Sequence, residues 1–242
     1  MIYILGIILL IFVLWICYMA KKYANPYKLI MIVAKKGGGK TTDIAKRVQL
    51  DNAKGWTCFS TVPIPGAYLI SGEDIGKYHF PPKSSIFIDE VGMLYDNRDW
   101  KTGALTKEVR NYFKLQRHYK HKVRMYSQAW DVDVKLRNLT DQIYLLQNWF
   151  GFLSVGYQVK RKIVVVKPSA DAESRIADEL IVSPFIMTPF GGRTFTYIPH
   201  WIKLFNSFDA PELPEKEFKK VGFPEDVEIT KRGRVRVKKS QG

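Results

Sequence analysis

Eight residues of this chain, Ala34-Lys35-Lys36-Gly37-Gly38-Gly39-Lys40-Thr41, have the types and spacing of a phosphate-binding loop. Glycines let the backbone curl so that successive N–H groups converge on an anion, and a helix starting directly afterwards adds the positive end of its dipole. In that reading Lys36, Gly37, Gly38, Gly39, Lys40, Thr41 and Thr42 cradle the phosphates of ATP. Lys40 reaches the β- and γ-phosphates, and the Thr41 hydroxyl is a ligand for Mg2+. Ala34 stands where the usual pattern begins with glycine, so only the second half matches strictly. The competing reading is a lysine-rich surface turn. Against it, the apolar run 29–33 predicts a buried strand and 42–50 a helix, which is the setting a phosphate loop requires.

A second group of chemical residues follows. Ser85-Ile86-Phe87-Ile88-Asp89-Glu90 reads as an apolar strand ending in two carboxylates, with Asp89 49 positions after Lys40. An aspartate at a strand's carboxyl end holds Mg2+ through water, and a neighbouring glutamate orients and deprotonates the water that attacks a γ-phosphate. Gln128 ends a further predicted strand, 122–128, where its amide is placed to sense that phosphate.

The elements that must position these residues alternate between strand and helix. Residues 56–60 read as a second buried strand. Residues 63–82 carry four prolines and read as loop with one extended piece at 68–70. Residues 91–106 also read as loop. A helix is predicted over 107–120, with Val109, Tyr112, Phe113, Leu115 and Gln116 inward and Arg110, Lys114, Arg117, His118 and Lys120 on the other face. A short helix at 134–139 and a strand at 142–146 complete the set.

Taken in order, the glycine-rich loop with Lys40-Thr41, Phe87-Ile88-Asp89-Glu90, Arg117-His118, Ser127-Gln128 and Leu136-Arg137-Asn138-Leu139 resemble the zonular-occludens-toxin-like family. That family includes the assembly ATPases of filamentous phages. The resemblance covers about residues 27–146 and implies an α/β fold: a P-loop NTPase of the RecA-like, additional-strand type with a mainly parallel central sheet. It implies an ATPase at the host's inner membrane that extrudes single-stranded DNA as virions assemble, with coat or other assembly proteins as partners. Lys40 and Thr41 then bind phosphate and Mg2+, Asp89 supports Mg2+, Glu90 is the base and Gln128 the sensor. Arg137 is the candidate arginine finger, acting on a neighbouring subunit in a homo-oligomeric ring, with Arg110 and Arg117 as rivals. Familiar members place the ATPase before the membrane span, whereas in this chain the apolar run comes first.

That run, residues 2–20, holds 19 residues without a charge, about 28 Å as a helix and enough to cross a bilayer's hydrocarbon core. No positive charge precedes it and no small-residue cleavage site follows it, which favours a retained anchor over a signal peptide. Lys21, Lys22 and Lys28 come after it, so the positive-inside rule places the N-terminus outside and the remainder in the cytoplasm. Lys and Arg total 38 against 23 Asp and Glu, a formal net charge of +15, which points to nucleic acid or an anionic membrane surface. Cys17 and Cys58 have no metal-ligand spacing and read as buried free thiols.

Residues 150–155 and 157–166 read as two strands with Gly156 as turn or bulge. Lys160-Arg161-Lys162 fits either a phosphate-backbone contact or a solvated edge. Residues 171–181 are expected to be helical and 184–197 extended around Gly191-Gly192. Residues 211–228 look like a linker, and 231–239 form a tail with six basic residues and no acid, suited to DNA, anionic lipid or plain solubility. The expected organisation is an anchor at 1–22, an ATPase domain at 23–200, and a linker with basic tail at 201–242. Two other functional readings remain open: a partition-type nucleotide switch, because Lys35 falls near a signature lysine although Lys36 interrupts that motif's glycine, and a non-catalytic membrane adaptor that binds DNA or coat protein.

Overall fold

Short apolar runs rich in Ile, Val and Phe, buried on both faces, favour a parallel sheet covered by helices. In the computed structural model, which describes residues 2–94, 107–129, 132, 134–166, 175–205, 227–229 and 235–237, the buried runs are β1 (Leu29–Ala34), β4 (Ser84–Ile88) and β5 (Lys122–Ser127), flanked by β2 (Thr57–Ser60), the exposed two-residue β3 (Tyr68–Leu69) and β6 (Gln142–Trp149). Their order across the sheet is β3-β2-β4-β5-β1-β6, and every neighbouring pair is parallel. β5 therefore lies between the strand that feeds the phosphate loop and the strand that ends in Asp89-Glu90. That inserted strand defines the additional-strand type of P-loop NTPase fold.

Alternation along the strands divides the core between the two faces. Met31, Ile86, Ile88, Val123 and Met125 pack with Val109 and Phe113 of α4 (Lys107–Leu115) and Leu136 of α5 (Val134–Leu139). Ile32, Phe87 and Tyr126 pack with Ile44 and Val48 of α2 (Lys40–Asn52). Before these elements comes α1 (Ile2–Lys22), among the described residues the one helix long and apolar enough to cross a membrane. Asn25 then accepts the Tyr27 N–H at 3.0 Å, and its turn separates α1 from β1.

Beyond β6 the chain reverses into an antiparallel extension: β7 (Leu153–Val166), β8 (Arg175–Val182) and β9 (Arg193–Tyr197), with the short α6 (Ile198–Trp201) after it. Here the structure corrects several expectations. β7 is one strand that runs straight through Gly156, and the turn is at Phe150-Gly151. A Cβ on Gly156 would collide with Thr194 of β9 and stand 2.8 Å from Leu146 of β6, so glycine is needed for close approach of three strands. Residues 175–182 are a strand, not a helix, because β7 offers a complete antiparallel partner from Val159 to Val166; residues 171–174 lie outside the described ones. Lys160-Arg161-Lys162 pairs with β8 on one side, while the β6 pairing stops at Val159, so the other side of these residues is a sheet edge. Residues 185–190 form a 3-10 helix before β9 instead of running extended. Val91–Leu94 is helical, where loop was expected, and the helix from Lys107 stops at Leu115, whose side chain is exposed rather than inward.

Residues 208–242 form a separate unit. Its described residues are two strands, Val227–Ile229 and Val235–Val237, paired antiparallel with Val227 opposite Val237. They fall where linker and tail were expected.

Candidate active site

The end of β1 and the start of α2 bracket the loop at 35–39. Gly38 N–H donates to the Lys35 carbonyl at 2.9 Å and Asp43 N–H to the Gly39 carbonyl at 2.9 Å, which closes the curl and begins the helix. Gly39 has φ +91°, a left-handed conformation that favours glycine, and a Cβ there would lie 2.9 Å from Ser154. At Gly38 and Gly39 the loop is thus bare backbone with no room for a side chain. Lys40 begins α2 with its side chain nine-tenths buried, while Lys35, Lys36 and Gly37 are exposed. Thr42 packs inward and Thr41 is half-buried.

Two strand ends bring the remaining chemistry to Lys40. Asp89 and Glu90 follow β4; Glu90 has φ +50°, an unfavourable backbone for a residue with a Cβ. Its carboxylate stands 3.5 Å from the Lys40 ammonium and accepts a hydrogen bond from the Gln128 amide at 2.6 Å. Asp89 is tied in place twice: its N–H donates to the Thr61 hydroxyl at 2.9 Å, and its carboxylate accepts the Glu90 N–H at 3.0 Å. Burial pushes the Asp89 carboxyl up to about 6, with the Glu90 charge adding to the rise and the Glu90 N–H and the Lys40 charge opposing it. Lys40, Glu90 and Gln128 therefore meet at the carboxyl ends of β1, β4 and β5. A cleft of about 680 Å³ opens between Lys36, Gly37, Gly38, Gln128, Asn148 and Trp149, within the size range of small-ligand sites.

Several supporting residues had no local signature in the sequence. The Ser154 hydroxyl donates to the Gly38 carbonyl at 2.9 Å, and the Asn148 amide donates to the Gly37 carbonyl at 3.0 Å. Both sit on the hairpin of β6 and β7. Beneath the loop, Asp43 accepts from the Tyr126 hydroxyl at 2.9 Å, the Thr196 hydroxyl at 3.3 Å and Arg47 at 3.4 Å. Lys46 donates to the Phe195 carbonyl. Burial and the Asp43 charge raise the Tyr126 phenol well above its ordinary value, so it acts as a fixed donor. The only advance signal for this network was an acid in the first turn of α2. Ser154→Ala is expected to weaken nucleotide binding about fivefold without unfolding the domain, because one neutral hydrogen bond to the loop is lost. Titration with a fluorescent nucleotide measures it.

The three arginines are dispersed. Arg137 is half-buried in the last turn of α5, Arg110 is half-buried on α4, and Arg117 is exposed in the turn before β5, at the end of the sheet opposite Lys40. Cys58 is buried, with burial pushing its thiol up to about 12, whereas Cys17 is only half-buried.

No protein-family model and no curated protein matches the sequence. Among solved structures, the chain is similar to the N-terminal domain of zonular occludens toxin from Neisseria meningitidis, with 16% identity over 67% of this chain and 97% of that one and a TM-score of 0.44. It is also similar to the genome packaging NTPase B204 of Sulfolobus turreted icosahedral virus 2, solved with AMP, at 12% identity over 55% and 93% and a TM-score of 0.41. The flagellar accessory protein FlaH of Methanocaldococcus jannaschii gives 12% identity over 63% and 89% and a TM-score of 0.37. At such scores these likenesses carry no functional argument.

Proposed function

We propose that the chain is a membrane-anchored ATPase that powers filamentous-phage assembly and the extrusion of single-stranded DNA through the host membrane. The observation that carries its catalytic part is the meeting of Lys40, Glu90 and Gln128 within 3.5 Å beside a glycine cradle. The residues fit ATP with Mg2+: a Cβ at Gly38 or Gly39 would lie 2.9 Å from its neighbours, so the loop presents bare backbone there, and Thr41 and Asp89 supply the oxygens such a cation takes. When bound, Mg2+ neutralises phosphate charge that the reaction develops. Lys40 then leaves Glu90 for the phosphates. Glu90 takes the proton of the attacking water, and Gln128, donating to Glu90, fixes the direction of that carboxylate.

The remaining parts rest on sequence. α1 serves as a single-pass anchor in the inner membrane with its N-terminus outside and the ATPase in the cytoplasm, as the lysines after it favour. The net charge of +15 suits a polyanionic cargo. Arg137 acts in trans in a homo-oligomeric ring, and coat or other assembly proteins dock on that ring.

Lys40→Ala is expected to lower nucleotide affinity roughly 100-fold, the loss of a charge-assisted contact from a lysine whose side chain is itself nine-tenths buried. Hydrolysis by the full-length chain, with and without single-stranded DNA, is the decisive assay. Turnover stimulated by DNA and abolished in Lys40→Ala supports a motor; no turnover in lipid with DNA present points to a non-catalytic adaptor.

A further inference from the structure

Parallel strands gather their amino ends at one end of the sheet, opposite the phosphate loop. The segments that lead into β1, β2, β4 and β5 there, 23–28, 53–56, 81–83 and 116–121, contain Lys28, Lys54, Lys83, Arg117, His118 and Lys120 and no Asp or Glu, while Asp141 leads into β6. Lys54, Lys83, Arg117 and Lys120 are exposed, and among the described residues no ion pair engages them. Of the acids at this end, Asp141 accepts the Leu29 N–H at 2.7 Å, and Asp51 is buried between Lys122 and Arg124 at 2.9 Å each. Lys83 and Lys120 both adopt left-handed backbone, at φ 69° and 60°, and Lys83 N–H donates to the Lys120 carbonyl at 3.1 Å. The Lys83 ammonium reaches to 3.8 Å from the place of a Cβ on Gly55, beside Lys54. The fold holds like charges together here at a cost in backbone strain and repulsion.

The tether identifies what faces this end. α1 ends at Lys22 and β1 begins at Leu29, so the intervening six residues span at most about 20 Å. With α1 in a bilayer, the amino end of β1 and the basic turns around it are held at the membrane surface.

We propose that this end of the sheet docks on anionic phospholipid headgroups through Lys54, Lys83, Arg117 and Lys120, turning the phosphate loop away from the membrane. The proposal rests on the anchored reading above. Charge complementarity favours lipid, since the tether presents the face to headgroups whether or not nucleic acid is present.

The test uses the full chain with vesicles of phosphatidylcholine alone or with about 30% phosphatidylglycerol, followed by amine acylation read by mass spectrometry. In the anionic vesicles, labelling of Lys54, Lys83 and Lys120 is expected to slow about fivefold or more, with Lys36 unchanged, and to recover at about 0.5 M salt. Equal rates in both vesicles, with the chain floating in each, overturn the docking face. Protection that appears in neutral vesicles only when single-stranded DNA is added overturns it in favour of a nucleic-acid surface. Failure to float with neutral vesicles overturns the anchor instead, and protection by anionic vesicles would then still support the face.

Discussion

Glu90→Gln is expected to cut ATP turnover about 10³-fold, the scale of a lost general base, while nucleotide affinity stays the same or rises. The amide keeps the shape of the side chain and its contact with Gln128 but cannot take a proton. The Glu90 carboxylate stands 3.5 Å from the Lys40 ammonium, so ATP competes with this ion pair for Lys40. Neutralising Glu90 removes that competitor, and tighter binding with slower chemistry follows from one change. Phosphate release and nucleotide titration on the same sample separate the two effects. An affinity loss as large as that of Lys40→Ala would instead assign Glu90 to binding.

The largest loss of stability is expected at Asp51→Ala, about 3–5 kcal/mol. Asp51 closes α2 onto the sheet: it accepts from Ser85 at 2.7 Å, Lys122 at 2.9 Å and Arg124 at 2.9 Å. Lys122 is covered by the Trp56 ring, 3.9 Å away. Alanine leaves two cations buried with no counter-charge, which costs more than the missing hydrogen bonds. Burial alone would raise the Asp51 carboxyl, but the Arg124 charge and the Lys122 hydrogen bond win and hold it down, at about 2 against an ordinary 3.8. An acid depressed on folding contributes stability that is complete above its ordinary value and is lost as pH falls through the folded one. The wild type should therefore lose this contribution between about pH 4 and pH 2, and Asp51→Ala should show no such loss in that window. Urea denaturation at both ends of the range checks it. A loss under about 1 kcal/mol would mean that water reaches the cluster.

The sequence disclosed whatever chemistry is written contiguously. The loop at 34–41, the carboxylates at the end of β4 and Gln128 after β5 each announce themselves by a short apolar run and a polar stop, and the structure brings Lys40, Glu90 and Gln128 together. What could not be read was decided by distant partners. Arg175–Val182 contains Arg, Ala, Glu and Leu, good helix formers, and is a strand only because β7 has an edge to fill. Gly156 looked like punctuation because its reason for being glycine, the side chain of Thr194, lies 38 positions later. Ser154 and Asn148 are separated from the loop they hold by 116 and 111 positions, beyond any pattern that a window of sequence displays. Leu115 fitted the inward stripe of α4, but the helix ends there and releases it to the surface.

The hairpin of β6 and β7 also sets the smallest heritable piece of this machine. A fragment ending at Leu146 would carry every recognisable motif, from the glycines to Gln128 and Arg137. It would lack Asn148 and Ser154, leaving the carbonyls of Gly37 and Gly38 without their side-chain partners, and it would lack Thr196 on Asp43. Recombination that respected only the motifs would deliver a cassette able to be spelled but not to hold its shape, so the antiparallel extension must travel with the motifs as one module.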